Sequence, residues 1–486
     1  MEEPLIFEIG AKGRENEIIS YSNLSEMETE NIIPDEFLRE DIDGFPEVSE
    51  TEVVRHYTRL SLWNYGVDTG FYPLGSCTMK YNPKINEDIA RLPGFSKSHP
   101  YQPDELSQGS LRLMYELEKY LSEISGMDAV TLQPAAGAHG ELTGMFMIRA
   151  YHNDKGNRRK TVLIPDTAHG TNPASSTLCG YHVKTIKSGK DGILHSNSVK
   201  EAMNEEVAAI MLTNPNTLGL YEKNIEEISE IVHNKGGLIY CDGANLNALM
   251  GIVKLGKCGV DVIQFNLHKT FSTPHGGGGP GSGPVGVKAS LEPYLPCPRI
   301  LKKEDIYSLE HKKPKSIGRI RSSYGNFGIM VRAYAYIRRL GADGLKRASE
   351  LAVLNANYIK ERLKKHYHLP FNDSPCMHES VFTDKFQQVS GVKTLDIAKR
   401  LIDYGYHPPT IYFPLVVSGA IMIEPTETED KHTLDCFIEA MIEIAKECRE
   451  NPETVKGAPH KTRVSRMDEV KAAREPVLRW QKNKIY

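Results

Sequence analysis

The side chain least expected in its setting is Lys269, in Asn266-Leu267-His268-Lys269-Thr270-Phe271, just after the strand-like run Val260-Asp261-Val262-Ile263. A lysine at a strand end can send its ammonium along the stem to water. The alternative is chemical use, because lysine is almost never fully buried unless it is paired or reactive. Desolvation and nearby cations free the amine of its proton and make it a nucleophile toward carbonyl carbons, as Schiff-base formation requires. Asp242 stands 27 residues earlier, closing the apolar run Leu238-Ile239-Tyr240-Cys241 and opening Asp242-Gly243-Ala244-Asn245. Alone it reads equally well as a turn or N-cap aspartate. A lysine for a Schiff base and a carboxylate that keeps a pyridine nitrogen protonated are together what pyridoxal phosphate requires. At about 4 Å and an effective dielectric near 20, such a charge pair is worth on the order of 4 kcal/mol.

Two further segments fit that chemistry. Thr167-Ala168-His169-Gly170-Thr171-Asn172-Pro173 follows the strand-like Val162-Leu163-Ile164-Pro165. Its His169 is either structural or placed to lie flat on a pyridine ring. The turn Ala136-Gly137-Ala138 joins a strand to a helix, where free N–H groups and small residues cradle phosphate. The run Gly276–Gly283 contains a literal GxGxxG at Gly276, Gly278 and Gly281. Pro280 and Pro284 interrupt it, and Pro284-Val285-Gly286-Val287 reads as a new strand, so a dinucleotide fingerprint is rejected. A backbone passing close to a cofactor, or a flexible flap, fits better.

The elements that must position these groups alternate. Leu113, Leu117, Leu121 and Ile124 share a helical face that ends at Gly126, and a short strand, Ala129–Leu132, follows. A helix is expected from near His139, a doubly buried strand over Val207–Leu212, and a helix with the stripe Ile225, Ile228, Ile231 and Val232 that stops at Gly236-Gly237. This pattern predicts an α/β fold with a mostly parallel sheet covered by helices, whose strands present ligand-binding groups at their carboxyl ends. After Gly328 the expectation is helix over Ala333–Leu340 and Leu345–Lys365, then strand-like pieces at Glu379–Phe382 and Ile421–Ile423. The predicted organisation is an N-terminal arm over 1–85, a large cofactor-binding domain over 86–330, a small C-terminal α/β domain over 331–460 and a charged tail over 461–486. Within the arm, a helix is expected around Glu50–Leu62.

Composition removes other classes. With 59 Lys plus Arg against 63 Asp plus Glu, the 486-residue chain lacks the basic excess of a nucleic-acid binder. No apolar run is long enough to span a membrane, and the acidic Met-Glu-Glu-Pro start does not resemble a signal peptide. The eight cysteines contain no CxxC pair, so no zinc ribbon is expected and a reducing, cytoplasmic setting is. No metal site is expected.

Gln133–Ala138, Asp166–Ser175, Thr213–Gly219, Asp242–Asn245 and Leu267–Gly283, with Tyr72-Pro73-Leu74-Gly75-Ser76-Cys77-Thr78-Met79-Lys80 upstream, closely resemble the P-protein family of the glycine cleavage system. The family's single-chain form is roughly double this length, so the resemblance is to the cofactor-carrying second subunit of a split form. It implies pyridoxal-phosphate fold type I, the aspartate-aminotransferase-like fold. It also implies glycine decarboxylation, with release of CO2 and transfer of the aminomethyl group to the lipoyl arm of H-protein. The implied partners are a sister subunit, lipoylated H-protein and glycine. Lys269 would carry the cofactor, Asp242 pair with the ring nitrogen, and His169 and Ala244 flank the ring. Gly137, Ala138 and His268 would bind the phosphate. Thr213 would contact the ring hydroxyl, with Asn214 as the alternative. Ser272-Thr273 stands where some relatives have Cys-Ile, which gives no support to thiol regulation there. Arg319 and Arg321 are candidates for a substrate carboxylate or an acidic carrier surface. Two other readings remain: a different fold type I enzyme, such as a desulfurase using Cys77, or a non-catalytic subunit of the same complex.

Overall fold

The structure is a computed structural model, and it describes residues 3–11, 13–14, 33–38, 44–276, 281–371 and 374–480. Two compact units divide the chain. One is Met1–Gly66 with Pro459–Tyr486, and the other is Val67–Ala458. In the first, helix Glu50–Ser61 is capped by Ser49, whose hydroxyl accepts from the Glu52 N–H while the Glu52 carboxylate accepts from the Ser49 N–H. This reciprocal cap satisfies two N–H groups that the helix start leaves without partners. Glu3 accepts from Arg59 and lies 3.0 Å from buried His56.

The second unit holds every residue singled out above for chemistry. Its centre is a seven-stranded sheet: β1 (Ala129–Thr131), β2 (Thr161–Pro165), β3 (His182–Ile186), β4 (Val207–Thr213), β5 (Leu238–Gly243), β6 (Val262–Phe265) and β7 (Val285–Val287). The strand order is β1-β7-β6-β5-β4-β2-β3. β7 pairs antiparallel with both β1 and β6, and the remaining pairs are parallel. All strands except β7 therefore end at one edge of the sheet. Every residue of β4 and β5 is buried, as expected of strands covered on both faces. Edge strand β3 is mostly exposed, and its polar sequence His182-Val183-Lys184-Thr185-Ile186 concealed it from hydrophobic patterning.

Helix Gln108–Ser125 buries Leu111, Met114, Leu117 and Leu121 against the sheet and ends at Gly126, whose φ of 76° is left-handed. That conformation is cheap only for glycine and forms the helix stop read from the sequence. The two helices expected after Gly328 run end to end over Phe327–Leu363, separated by the non-helical backbone of Gly341 at φ 63° and ψ −172°. A hairpin of β8 (Arg299–Lys303) and β9 (Ile306–Glu310) follows β7 and was not anticipated. A second sheet in the order β10-β12-β11 comprises β10 (Ser380–Thr383), β11 (Thr410–Ile411) and β12 (Ala420–Ile423). Its core joins Phe382, Ile421 and Ile423 to Phe437, Met441 and Ile444 of helix Lys431–Glu450, with Phe71 among them.

The turn between β1 and helix Gly137–Asp154 is clamped by the segment entering β7. The Gly283 N–H donates to the Pro134 carbonyl at 3.0 Å, and a Cβ on Gly283 would run into the Ala136 carbonyl. A Cβ on Gly140 would meet the Gly283 carbonyl at 2.6 Å. Backbone therefore packs on backbone with no side chain between. Gly283→Ala is expected to cost about 1–3 kcal/mol through forced displacement of the turn, read as a lower urea midpoint at unchanged slope.

Candidate active site

The carboxyl edge of the sheet gathers the predicted residues. Asp242 is the penultimate residue of β5 and is 1 % exposed. It faces Thr213 at the end of β4 and Gln264 of β6 in register. Its carboxylate has no cationic partner among the described residues. It accepts hydrogen bonds from the Ala244 N–H at 2.9 Å, from Asn172 Nδ2 at 3.1 Å and from the Gln264 amide. Neutral donors of this kind hold a buried anion in place without cancelling its charge. Asn172 also donates to Glu141 Oε2 at 3.0 Å. Burial, and then the negative charge of Asp242, push the Glu141 carboxyl up to about 7. The site thus has a second, proton-retaining carboxyl behind the first. Glu141, Asn172 and Gln264 escaped the sequence reading. Asn172 lay within a quoted motif, but a helix-borne glutamate such as Glu141 gives no sign of its burial.

Lys269 sits on the one-turn helix Leu267–Thr270 immediately beyond β6, next to Asp242's strand. The strand-end lysine of the sequence reading is thus moved off the strand by a few residues. Its Nζ donates to the Ser76 carbonyl at 2.7 Å. Lys80, in the same upstream motif, donates to the Thr270 carbonyl at 3.0 Å and pairs with Glu427 at 2.6 Å. Lys80 is 3 % exposed, and its charge at the carboxyl end of the short helix fixes the position of the lysine's turn.

His169 follows β2, is half-buried, and lies 2.9 Å from Thr171 Oγ1 through Nδ1. Burial lowers its basicity, with opposing contributions from the charges of Asp242 and Lys269, which places it in the electrostatic field of both. Ala244 is buried two residues beyond Asp242. Gly137 and Ala138 open helix Gly137–Asp154, whose first N–H groups face the same edge. A Cβ on Gly137 would collide with the end of the Asn266 side chain, so any larger residue there requires Asn266 to move. His268 Nδ1 accepts from the Ser282 N–H at 3.2 Å. The hydroxyl of Thr213 and Nδ2 of Asn214 are both buried without a partner among the described residues, so both can serve a ligand.

Other candidates separate. Arg319 is exposed and donates to the Ser322 carbonyl, away from the cluster. Arg321 donates to Asn326 Oδ1 at 3.1 Å, and Asn326 in turn donates to the Ala135 carbonyl at 3.3 Å, which sets Arg321 one residue removed from the phosphate-type turn. Cys77 does approach Lys269, but burial raises its thiol above the ordinary range despite the lysine's charge, which opposes a nucleophilic role. Ser272 and Thr273 are buried. Gly277–Pro280, the part of the glycine run read as a flap, lie outside the described residues.

Comparison with known proteins decides the family. The model of the glycine cleavage system P-protein matches residues 11–306, and that of the glycine dehydrogenase C-terminal domain matches residues 348–464. The chain belongs to the glycine cleavage system P-protein family. A probable glycine dehydrogenase (decarboxylating) subunit 2 from Caldanaerobacter subterraneus subsp. tengcongensis is 60 % identical over 481 residues, covering 98 % of this chain and 99 % of the relative. A protein of the same description from Halalkalibacterium halodurans is 58 % identical over 482 residues, covering 99 % of each. A crystal structure of glycine decarboxylase (P-protein) in inhibitor-bound form superposes with a TM-score of 0.73 at 22 % identity, over 85 % of this chain and 94 % of that one. A cysteine desulfurase from Thermococcus onnurineus gives 0.60 at 17 % identity, over 78 % and 95 %. These structural likenesses show the fold, pyridoxal-phosphate fold type I.

The residues of this P-protein family member fit that cofactor. An amine just beyond β6 and a buried carboxylate on neighbouring β5, a small-residue turn at Gly137 that leads into an eighteen-residue helix, and polar atoms without a partner among the described residues share this edge. His268 and His275 add a condition on pH. Burial, followed by neighbouring positive charge, lowers His268 to about 3 and His275 to about 4. The unfolded chain protonates these rings near pH 6.5, whereas the folded chain does not. Below that pH the unfolded state binds more protons, so these two histidines make stability fall as pH drops toward about 4. In the cofactor-free chain, His275→Gln is expected to flatten this acid limb by about one proton, or about 1.4 kcal/mol per pH unit between about pH 6 and 4.5. Urea unfolding across that range measures it.

Proposed function

We propose that this chain is the cofactor-carrying subunit of a two-subunit glycine decarboxylase, which releases the glycine carboxyl as CO2 and passes the aminomethyl group to a lipoyl arm on H-protein. The observation that carries the reading is the pairing of Lys269 and Asp242 at the carboxyl ends of β6 and β5, within a chain of the P-protein family. Bound pyridoxal phosphate supplies an electron sink for the pair of electrons left when the Cα–carboxylate bond breaks.

The chain's own residues do the rest in this reading. Lys269 supplies the amine that holds the cofactor covalently. Asp242, hydrogen-bonded by neutral donors only, would hold a proton on the ring nitrogen, and Glu141 lies behind it as a carboxyl that burial raises to about 7. The N–H groups at Gly137 and Ala138 and the side chain of His268 bind the phosphate. His169 and Ala244 hold the ring between them, and Thr213 or Asn214 takes the ring hydroxyl. Residues on both faces and at both ends of the ring would hold the bound group in one orientation relative to the substrate. The raised thiol of Cys77 speaks against the desulfurase alternative, and the presence of both Lys269 and Asp242 speaks against a non-catalytic subunit.

The relatives' description as subunit 2 supports a sister subunit as partner. A tethered lipoyl arm must reach a site from which water is excluded, and walls for that passage are what a sister subunit would complete. All eight cysteines are free, which suits a reducing compartment.

Lys269→Ala should abolish both the cofactor's visible absorbance on the chain and glycine decarboxylation, and borohydride reduction with peptide mapping should label Lys269. A label on another lysine overturns the assignment. Asp242→Asn should lower turnover at least tenfold, about 1.4 kcal/mol in barrier, while cofactor is retained. Exchange of the glycine carboxyl with bicarbonate should be weak with this chain alone and rise when sister subunit and lipoylated H-protein are added. Full exchange with H-protein and no sister subunit would show that the split-enzyme reading is wrong.

A further inference from the structure

Two glutamates that the reaction as drawn does not use lie beneath the loop that touches Lys269. The register of β10 with β12, Ser380 opposite Ile423, carried one residue further sets Glu379 opposite Glu424. Their carboxylate oxygens approach within 4.8 Å, and the residues are 0 % and 1 % exposed. Like charges opposite one another on paired strands are destabilising, and burial magnifies the cost. The fold keeps the pair nonetheless and wraps Gly75–Met79 over it. The Ser76 N–H donates to Glu379 Oε2 at 2.8 Å, and Thr78 donates to Glu424 through its N–H at 3.1 Å and its hydroxyl at 2.6 Å. Ser76 and Thr78 hold φ of 65° and 40°, a strained left-handed backbone for side-chain-bearing residues. The product of that strain is a Ser76 carbonyl that accepts the Lys269 ammonium at 2.7 Å, on the far side of the peptide unit chain from the carboxylate that anchors the Ser76 N–H.

The charged and titratable groups facing the pair are few. Lys269 acts on both carboxyls, and Lys80, itself paired with Glu427, acts on Glu424. His378 stands 3.8 Å from Glu379 with neither ring nitrogen hydrogen-bonded, and burial lowers it to about 3, so it supplies no positive charge near neutrality. Cys77 and His275, whose ring is hydrogen-bonded to the Thr78 backbone, complete the surroundings. Burial and mutual repulsion raise Glu379, and burial raises Glu424 to about 7. Together they retain a proton that isolated carboxylates would lose.

We propose that the Ser76 carbonyl, backed by the Glu379–Glu424 pair, is the station that receives the Lys269 amino group whenever it is not joined to cofactor, and that the pair's shared negative charge keeps the amine there as an ammonium. The pair is thus a positioning device, and it acts on the lysine through the strained loop and through its field. A released lysine kept charged and directed at Ser76 does not compete with an incoming amine for the cofactor's carbon. This inference rests on Lys269 being the cofactor-bearing lysine.

The test uses the full chain freed of cofactor. Lys269 is trace-labelled with acetic anhydride across about pH 6 to 10, with exposed Lys200 as internal reference, and the peptides are quantified by mass spectrometry. Two variants are compared: Glu379→Gln keeps an oxygen for the Ser76 N–H and leaves Glu424 to carry the shared charge, and the double variant Glu379→Gln/Glu424→Gln removes that charge together with one of the two oxygens that accept from Thr78. The expected result is a labelling profile for Lys269 displaced to lower pH by at least about half a unit in the double variant, a threefold gain in rate below the midpoint, with the high-pH plateau unchanged and a smaller displacement in Glu379→Gln. An undisplaced profile overturns the proposal, and so does a higher plateau at unchanged midpoint, which reports a loosened loop. If neither variant folds, wild-type infrared difference spectra decide. Loading pyridoxal phosphate consumes the ammonium and should strengthen the protonated-carboxyl band, and no change in that band overturns the proposal. Borohydride mapping to another lysine would instead sink the assignment of Lys269, so the two failures are distinguishable.

Discussion

A carboxylate held in the interior without a counter-ion is the constraint from which the rest of the site follows. Asp242 can stay where it is only because β5 delivers it to a point reached by the Ala244 N–H, Asn172 and Gln264. Each donor comes from a different element: the strand's own continuation, the helix after β2, and β6. The parallel register of β5 with β6, Asp242 opposite Gln264, is therefore as much an electrostatic requirement as a packing one. Slipping it by one residue would turn Gln264 to the opposite face and leave the anion short of a donor. A cationic partner in place of these amides would neutralise the charge that the proposed role of Asp242 requires.

The lysine is subject to the opposite constraint. Neutral histidines and buried carboxyls surround it, and the upstream motif Tyr72–Lys80 supplies two contacts that fix it: the Ser76 carbonyl to Nζ, and Lys80 to the Thr270 carbonyl at the end of its turn. The same motif is anchored by Glu379, Glu424 and Glu427, all on or next to the second sheet. A short segment nearly two hundred residues upstream of Lys269 thus ties the cofactor-side sheet to the second sheet. Its unusual content, a buried lysine and two left-handed non-glycine residues, is what that double attachment demands.

How much of this was legible in the sequence depended on whether the information was local. Helix Gln108–Ser125 and its stop at Gly126, strands β4 and β5, and the stripe of helix Ile225–Asn234 follow from periodicity, and periodicity survives folding because it reflects one face buried. Strand β3 and the β8–β9 hairpin were missed because their residues are largely exposed or charged, so that nothing distinguishes them from loop until pairing is known. The gap expected between two helices is the kink at Gly341, shorter than the sequence implied because a single residue leaves the helical conformation. Among site residues, Lys269, Asp242 and Gly137 were visible as type and position at strand ends. Glu141, Glu379 and Glu424 were not, since a glutamate in a sequence carries the expectation of a solvated surface, and only tertiary structure shows that it is buried.

The two groups of hidden carboxyls share a logic that explains why they are glutamates. Glu141 stands behind Asp242 through Asn172, and Glu379 with Glu424 stands behind Lys269 through Ser76. In neither case does the second carboxyl touch the first reactive group directly. Each is separated from it by one hydrogen-bonding unit: Asn172 donates through Nδ2 to both carboxyls, and Ser76 donates its N–H to Glu379 and accepts from Lys269 at its carbonyl. Direct contact would lock Lys269 into an ion pair too strong to be broken in every cycle, and would crowd a second charge against Asp242. One intervening amide keeps the field and removes the bond. The added methylene of glutamate relative to aspartate provides the reach for that arrangement from a helix face and from the ends of β10 and β12. The carboxyls' retention of protons near neutrality is the consequence of burying them at that distance, where solvation is lost and the nearest charge compensates only in part.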